Sequence, residues 1–585
     1  MGFTEKNPLK SPLSLALRRL LPFLAWRSRI SRESLRIDSV AGLTVALVAI
    51  PQSLAYAQLA GLPPHYGLYA ALVPTVVGAL FGSSAQVSTG PVALTSLLTA
   101  ASIAPLAAAG GGAYVGFAIA LALLSGLFQL GFGVMRLGLL MNLLAHPVLM
   151  GFVNAAAILI VLSQVPALLG VPLPKTGHAF LDIWQVLARS QEAHGYSIAF
   201  AVTAIGALLA FRRFAPRLPG VLITVALLTL ASYLLGYANT GGSVVGEIPR
   251  GLPTLALPGL ALETWIDLLP AAFVIAVVSF MEAMSSAKIA ALKTATRWDE
   301  NQELIGQGLA KIAAAFCQTM PVSGSFSRSA LNLAAGARTG VSSIVCALCV
   351  LLTLLFFTPL LRHLPLPVLA AIIVVALSNL INLRSLRNAW RASRDDAAAA
   401  ALTFAATLVF APQIQNGIFI GIVASLGLFV YRRMRPTVEV IEPATAQLGR
   451  VAQGKLPEKL RETVGMIRFD ASLVFVNVAY FEEAVLQLER RHPGLPFVLV
   501  SASSINALDA SGVEMLATLA EALQKSGTTL IFSGVKPGVY SVLARTGLVQ
   551  RLGAGNFYAD DAAAFAALAE RALPASGSGL PPAAH

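Results

Sequence analysis

Glu282 is the only acidic side chain between Asp267 and Asp299, and it stands near the middle of an apolar stretch running from about 264 to 291. A carboxylate at that depth in hydrocarbon is costly and marks a functional group by default. Its natural chemistry there is to load and release a proton; the alternative is a structural pairing with Lys311 or Arg328. Arg328, in Gly324-Ser325-Phe326-Ser327-Arg328-Ser329, brings a full positive charge to the start of another apolar run. It reads either as a ligand for an anion or as an arginine snorkelling to the membrane surface. Ser325, Ser327 and Ser329 supply hydroxyls, either as donors to an oxyanion or as helix caps; Ser327 reads as a ligand contact and Ser329 as capping or packing. After Pro51, the polar Gln52 and Tyr56 are four apart and share one helical face. They line a pocket or form a hydrogen bond between helices. Cys346 and Cys349 lie in an apolar run without a histidine nearby and read as packing residues, not metal ligands. No phosphate-cradling glycine loop and no triad spacing occurs, so neither an enzyme nor an ATP-driven pump is expected.

The elements that carry these groups are membrane helices. Of 585 residues, 56% are hydrophobic and 12% charged, about half the charged share of a soluble domain. Charge is sparse up to about residue 431 and ordinary from 432 to 571, which implies two regions in two solvents. The net charge of +13 is scattered in short clusters between apolar runs, an arrangement unlike a nucleic-acid-binding face. A short apolar run, Leu20 to Trp26, is framed by Arg18, Arg19, Arg27 and Arg29 and lacks a small-residue cleavage site, so it reads as a basic arm. Spans are expected at about 38–60, 66–82, 90–105, 113–135, 143–166, 195–211, 218–236, 264–291, 303–320, 325–336, 341–361, 366–382, 396–411 and 415–431. With both termini cytoplasmic, the even-numbered spans end in loops that hold Arg136, Arg212, Arg213, Arg217, Lys288, Lys293, Arg297, Arg338, Arg384 to Arg394, and Arg432 to Arg435. The opposite loops hold only Lys175, Arg189, Arg250 and Arg362, as the positive-inside bias requires.

Spans 3 and 10 are too short to cross. Pro91 to Ala104 and Ser325 to Ala335 are half-helices, introduced by Ser88-Thr89-Gly90-Pro91 and Pro321-Val322-Ser323-Gly324. Each turn comes about 50 to 60 residues into its own set of seven spans, and an odd repeat unit inverts itself, so a 7+7 inverted repeat is expected. Two half-helix starts meeting near the midplane aim bare N–H groups and two positive dipole ends at one spot, which would hold an anion. Importing a dianion against about 150 mV, negative inside, costs roughly 7 kcal/mol, or about five decades of accumulation, so concentrative uptake needs a co-transported cation. Glu282 is the candidate carrier. Gln318, Asn332 and Asn379 read as hydrogen bonds between helices.

Residues from about 462 to 575 read as a small α/β domain. The runs Phe497-Val498-Leu499-Val500 and Thr529-Leu530-Ile531-Phe532 are strands, and the first leads through Asp509-Ala510-Ser511-Gly512 into a helix with Val513, Leu516 and Leu519 on one face. The expected organisation is a basic arm (1–37), a transmembrane domain (38–435), the α/β domain (436–575) and a disordered tail (576–585).

From about residue 36 to 570 the chain resembles the SulP family of sulfate permeases and related anion transporters. The resemblance is carried by Pro51-Gln52-Ser53-Leu54-Ala55-Tyr56-Ala57, Gly61-Leu62-Pro63-Pro64-His65-Tyr66-Gly67-Leu68-Tyr69, Gly90-Pro91-Val92-Ala93, Asn301-Gln302-Glu303-Leu304 and Gly324-Ser325-Phe326-Ser327-Arg328-Ser329-Ala330. It implies a core domain of spans 1–4 and 8–11, a gate domain of spans 5–7 and 12–14, elevator-like alternating access, and a homodimer with a cytoplasmic STAS domain. It maps the anion pocket onto Gln52, Tyr56, Pro91, Val92, Ala93, Ser327 and Arg328, and the acidic coupling residue onto Glu282. Ser511 matches a serine that is phosphorylated in related stand-alone STAS proteins; here it reads as a helix cap or a regulatory site. Ala85 stands where many relatives carry a basic residue, and sodium-coupled bicarbonate relatives place an aspartate at position 282. The resulting expectation is a proton-coupled sulfate or similar oxyanion symporter in the plasma membrane, without cofactor or metal. The alternatives are a bicarbonate or dicarboxylate carrier, sodium-coupled or exchanging, and an anion channel or a sensor signalling through its STAS domain.

Overall fold

A computed structural model of the protein describes residues 21–571, apart from 27–28, 108–109, 139–145, 172–183, 187, 216–217, 250, 254–261, 379–380 and 444–461. The basic arm before residue 21, Lys175, Arg217, Arg250, Asn379 and the 576–585 tail lie outside the described residues. Packing divides the chain into two units, Met1–Ser425 and Leu426–His585. The division falls inside span 14 and not at its end.

In the first unit each expected span is helical. Spans 1, 4, 6, 8 and 14 are the long helices Arg32–Leu59, Gly112–Val134, Gly195–Phe214, Leu262–Thr294 and Gln415–Met434, each apolar and long enough to cross a bilayer unaided. Span 1 begins with a reciprocal cap, in which the Ser31 and Ser34 hydroxyls each accept from the other's backbone N–H. Span 5 is His146–Ser163 with a short continuation at Val165–Leu169. Span 7 is Gly220–Leu234, span 9 Glu300–Phe316, span 12 Leu366–Leu377 and span 13 Arg394–Val409. Span 11 runs through Val341–Leu352, a π turn at Thr353–Phe357 and Thr358–Leu361; the π turn precedes Pro359, whose missing N–H already interrupts the ladder.

Two elements differ from the expectation. Span 2 is two helices, His65–Ala70 and Val73–Phe81, separated at Ala71 and Leu72. Pro74 enters the second at its opening turn, where its lack of an N–H does no harm. The loop after span 12 contains a further helix, Leu383–Ala392, packed against spans 5 and 13.

Spans 1–4 and 8–11 pack on one another, and spans 5–7 pack with 12 and 13, giving the core and gate domains. Small residues bring the helices together: spans 4 and 9 lie almost backbone to backbone at Gly126 and Gly308, close packing that drives association where hydrophobicity cannot. The half-helices are Ala93–Ile103 and Phe326–Ala334, of 11 and 9 residues.

In the second unit the strands β3 (Val438–Ile441), β4 (Val464–Phe469), β5 (Phe497–Ser501), β6 (Thr529–Ser533) and β7 (Phe557–Tyr558) form a sheet in that order, β3 antiparallel to β4 and the rest parallel. Helices Val478–Arg491, Ala510–Lys525 and Pro537–Arg545 cover one face around Phe481, Leu516, Leu519 and Phe532. Helix Asp561–Arg571 covers the other through Phe565 and Leu568.

Candidate functional site

Two three-residue strands precede the half-helices, β1 (Ser88–Gly90) and β2 (Ser323–Ser325). They pair antiparallel, Ser88 opposite Ser325, Thr89 opposite Gly324 and Gly90 opposite Ser323. Both strands are buried, so their mutual pairing meets the demand that backbone polar groups be satisfied inside a membrane. An antiparallel pair has a two-fold axis through its centre, which is the relation an inverted repeat imposes. It also sets the two helix starts side by side. Val92 is extended and supplies no side-chain cap to the first half-helix, whose first residue is Ala93; Ser325 caps the second by accepting from the Arg328 N–H at 3.4 Å.

Arg328 is 2% exposed and turns inward, not toward an interface. A helical side chain leans toward the N-terminus, and here that carries the guanidinium across to the other half-helix, where Nη1 donates to the Pro91 carbonyl at 2.8 Å. Nη2 is enclosed and has no hydrogen-bond partner among the described residues. Gly90 makes room for it: a Cβ there would stand 2.9 Å from Nη2. Arg328 thus locks the two half-helices together and keeps one donor free.

Glu282, on span 8, lies within charge-interaction range of Lys311 and Arg328 and beside the Ser323 hydroxyl. Its Oε2 is also enclosed without a partner. Lys311, fully buried on span 9, donates to Gln129 Oε1 at 2.7 Å and to Ser279 Oγ at 2.8 Å. From span 1, Tyr56 is within charge range of both Arg328 and Glu282, and Gln52 is buried with its Oε1 unpartnered. Pro91, Val92 and Ala93 are buried at the start of the first half-helix, whereas Ser327 is exposed, 3.5 Å from Ser325 Oγ. A cavity of about 380 Å³ lies between spans 8 and 10, lined from Phe326 and Ser329 to Lys293 and Thr294. Ser329 accepts from the Ser88 N–H and so braces β1, and Asn332 donates to the Gln86 carbonyl. The site therefore gathers one carboxyl group, two buried basic side chains and several polar atoms without a partner among the described residues.

Residues 35–403 match the family model of the sulfate permease family, and residues 457–564 match the STAS domain. This chain belongs to the sulfate permease family. Sulfate transporter 4.1, chloroplastic, of Arabidopsis thaliana is 31% identical over 565 residues, covering 92% of this chain and 81% of its own. A probable sulfate transporter of Mycobacterium tuberculosis is 32% identical over 537 residues, covering 90% and 94%. Among solved structures, murine Solute Carrier 26 family member A9, an anion transporter in the inward-facing state, superposes with a TM-score of 0.86 at 21% identity, over 97% of this chain and 96% of that one. The transmembrane domain of the cyanobacterial bicarbonate transporter BicA gives 0.58 at 26% identity, over 68% and 99%. The protein is a multi-pass membrane transporter of anions with a C-terminal STAS domain, and the family is one of transporters, not enzymes.

Within this member of the sulfate permease family the residues of the site that sequence reasoning left out are Gln129, Ser279 and Ser323, and Lys311 entered only as a structural partner. Lys311 carried a signal, since no other lysine or arginine occurs between Arg297 and Arg328. In the STAS domain Ser511 is not the cap of its helix. Asp509 fills that role, Oδ1 accepting from the Gly512 N–H at 2.9 Å and Oδ2 from the Phe475 N–H at 2.8 Å. A groove of about 520 Å³ runs along the same helix past Val513, Glu514 and Glu521.

Proposed function

We propose that this protein takes up sulfate together with protons across the plasma membrane, by elevator-like movement of the core domain against the gate domain. The observation that carries the reading is the charge of the site. Arg328 and Lys311 face a single carboxylate, Glu282, so the ionised site holds a net charge of +1. Protonating Glu282 raises it to +2, which balances a dianion such as sulfate; a monoanion needs no proton to be matched. Proton and dianion then bind best together, and each proton carried lowers the electrical work of import by roughly 2.3 kcal/mol per 100 mV. The names of the relatives favour sulfate. The likeness to a bicarbonate transporter favours the second reading, a bicarbonate or dicarboxylate carrier that is sodium-coupled or exchanging. The even number of spans and the basic loops support both termini being cytoplasmic, and the groove along the helix that follows Asp509 supports a cytoplasmic regulator of the STAS domain.

Radiolabelled sulfate uptake into proteoliposomes is expected to rise as the outside is acidified and to exceed equilibrium under an inward proton gradient. Absence of sulfate uptake, with bicarbonate or succinate carried instead, would select the second reading; a large unitary conductance without accumulation would indicate a channel. The Glu282→Gln variant fixes the carboxylate as neutral. Its sulfate binding should persist while uptake changes less than about twofold over two pH units, where one coupled proton in the wild type gives up to about tenfold per unit. An unchanged pH dependence would remove Glu282 from the coupling.

A further inference from the structure

We propose that Glu303, acting through Gln307 and Thr89, positions the anion-binding turn and thereby sets the affinity for the anion, without touching it. Glu303 lies in the first turn of span 9 and is 1% exposed. Its Oε2 accepts from the Ser83 N–H at 2.9 Å, the Ser84 N–H at 3.1 Å and the Ser83 hydroxyl at 3.3 Å. Its Oε1 accepts from Gln307 Nε2 at 3.0 Å, one helical turn on. Gln307 is fully buried, and the same nitrogen donates to Thr89 Oγ1 at 2.9 Å. Thr89 is the central residue of β1, directly before Gly90 and the Pro91 carbonyl that Arg328 grips, and its own carbonyl accepts from Thr75 Oγ1 at 2.8 Å.

The orientation of this relay is forced. Turning the Gln307 amide over would face its oxygen against the carboxylate, so both N–H bonds stay committed, even though its Oε1 is left unpartnered. The two residues before Glu303 hold neighbouring backbone in the same manner: Asn301 Oδ1 accepts from the Gly138 N–H at 2.9 Å, and Gln302 Nε2 donates to the Phe81 carbonyl at 2.8 Å. Anchoring the Ser83–Ser84 loop needs only one carboxylate oxygen. The second is committed to an amide whose remaining hydrogen reaches the strand of the binding site, a use of a costly buried charge that loop anchoring alone does not explain.

The inference rests on the transport reading above, and its test separates the two. Full-length wild type in proteoliposomes is offered radiolabelled sulfate, bicarbonate and succinate, and Gln307→Met, Thr89→Val, their double variant and Glu303→Gln are then measured on whichever anion the wild type carries. Failure of the sulfate reading shows in the wild type alone. For Gln307→Met and Thr89→Val, the half-saturating concentration should rise on the order of tenfold, with maximal rate per folded protein and thermal midpoint little changed. The double variant should be no worse than Gln307→Met alone, because that change already removes the bond to Thr89 together with the one to Glu303. Unchanged half-saturation in the single variants, or effects that multiply in the double, would overturn the proposal. Glu303→Gln should raise half-saturation as well; if it instead lowers the yield of folded protein, Gln307→Met still decides.

Discussion

Replacing Arg328 by Ala should lower initial uptake at least about 100-fold while the protein still reaches the membrane. The side chain makes two contributions that fail together. Its Nη1 bond to the Pro91 carbonyl holds the two half-helix starts in register, and truncating one partner of a buried charged hydrogen bond costs about 2–5 kcal/mol. Its Nη2, without a partner among the described residues, is the donor that the proposed function assigns to the anion. The Arg328→Lys variant restores the charge but not the fork: an ammonium that reaches Pro91 offers the ligand no second planar donor, so an intermediate loss is expected. Melting of the purified variants with and without 10 mM sulfate separates the cases, since a ligand that binds the native state raises its midpoint. Wild type should shift, Arg328→Ala should not, and a shift preserved in the Ala variant would place the anion elsewhere.

The Gly67→Ala variant should fail to accumulate as folded protein. Gly67 sits in the first helix of span 2, where a Cβ would stand 1.8 Å from the Ser53 carbonyl oxygen and 2.4 Å from its carbon. No rotamer can relieve a clash with backbone, so span 1 must shift or the contact open, at a cost of about 3 kcal/mol or more. Because Gln52 precedes Ser53, the same displacement disturbs one wall of the candidate site. Gly131→Ala, on span 4, is the control: nothing lies within 4 Å of its added Cβ, and it should match wild type in yield and melting. Fluorescence-detected size exclusion of the two variants checks this directly, and equal profiles would show that span 1 yields at Ser53.

The membrane unit was legible from the sequence because hydrocarbon enforces simple rules. Length, glycine turns and basic loops give the spans, and two runs too short to cross give the half-helices at Pro91 and Ser325. Less was legible where a side chain's partner lies far along the chain. The Arg328 guanidinium was expected to face an anion, but its bond to Pro91 depends on how two distant strands pair. Lys311 is named from the sequence as a partner of Glu282, and the structure does place it within charge range; its bonds to Gln129 and Ser279 depend on the packing of spans 4, 8 and 9 and have no signal in the sequence. Helix Leu383–Ala392 has a signal in the helical spacing of its arginines at 384, 387 and 391, but the same arginines also serve as the basic residues of a cytoplasmic loop. Of the two readings of Ser511, cap or regulatory site, the cap falls to Asp509, two residues earlier and an equally good N-cap type.

The pairing of β1 with β2 has a consequence for biosynthesis. Pro91 and the arginine that grips it are 237 residues apart in sequence. While the chain is being synthesised, the Ser88–Gly90 segment enters the bilayer with its backbone groups unmatched and waits until the second half has been inserted. At about 5–20 residues per second that interval is on the order of ten seconds or longer. During it the nascent first half is a natural client for whatever shields polar segments in the membrane, and a chain truncated before residue 323 would be recognisable to quality control by that one unpaired strand.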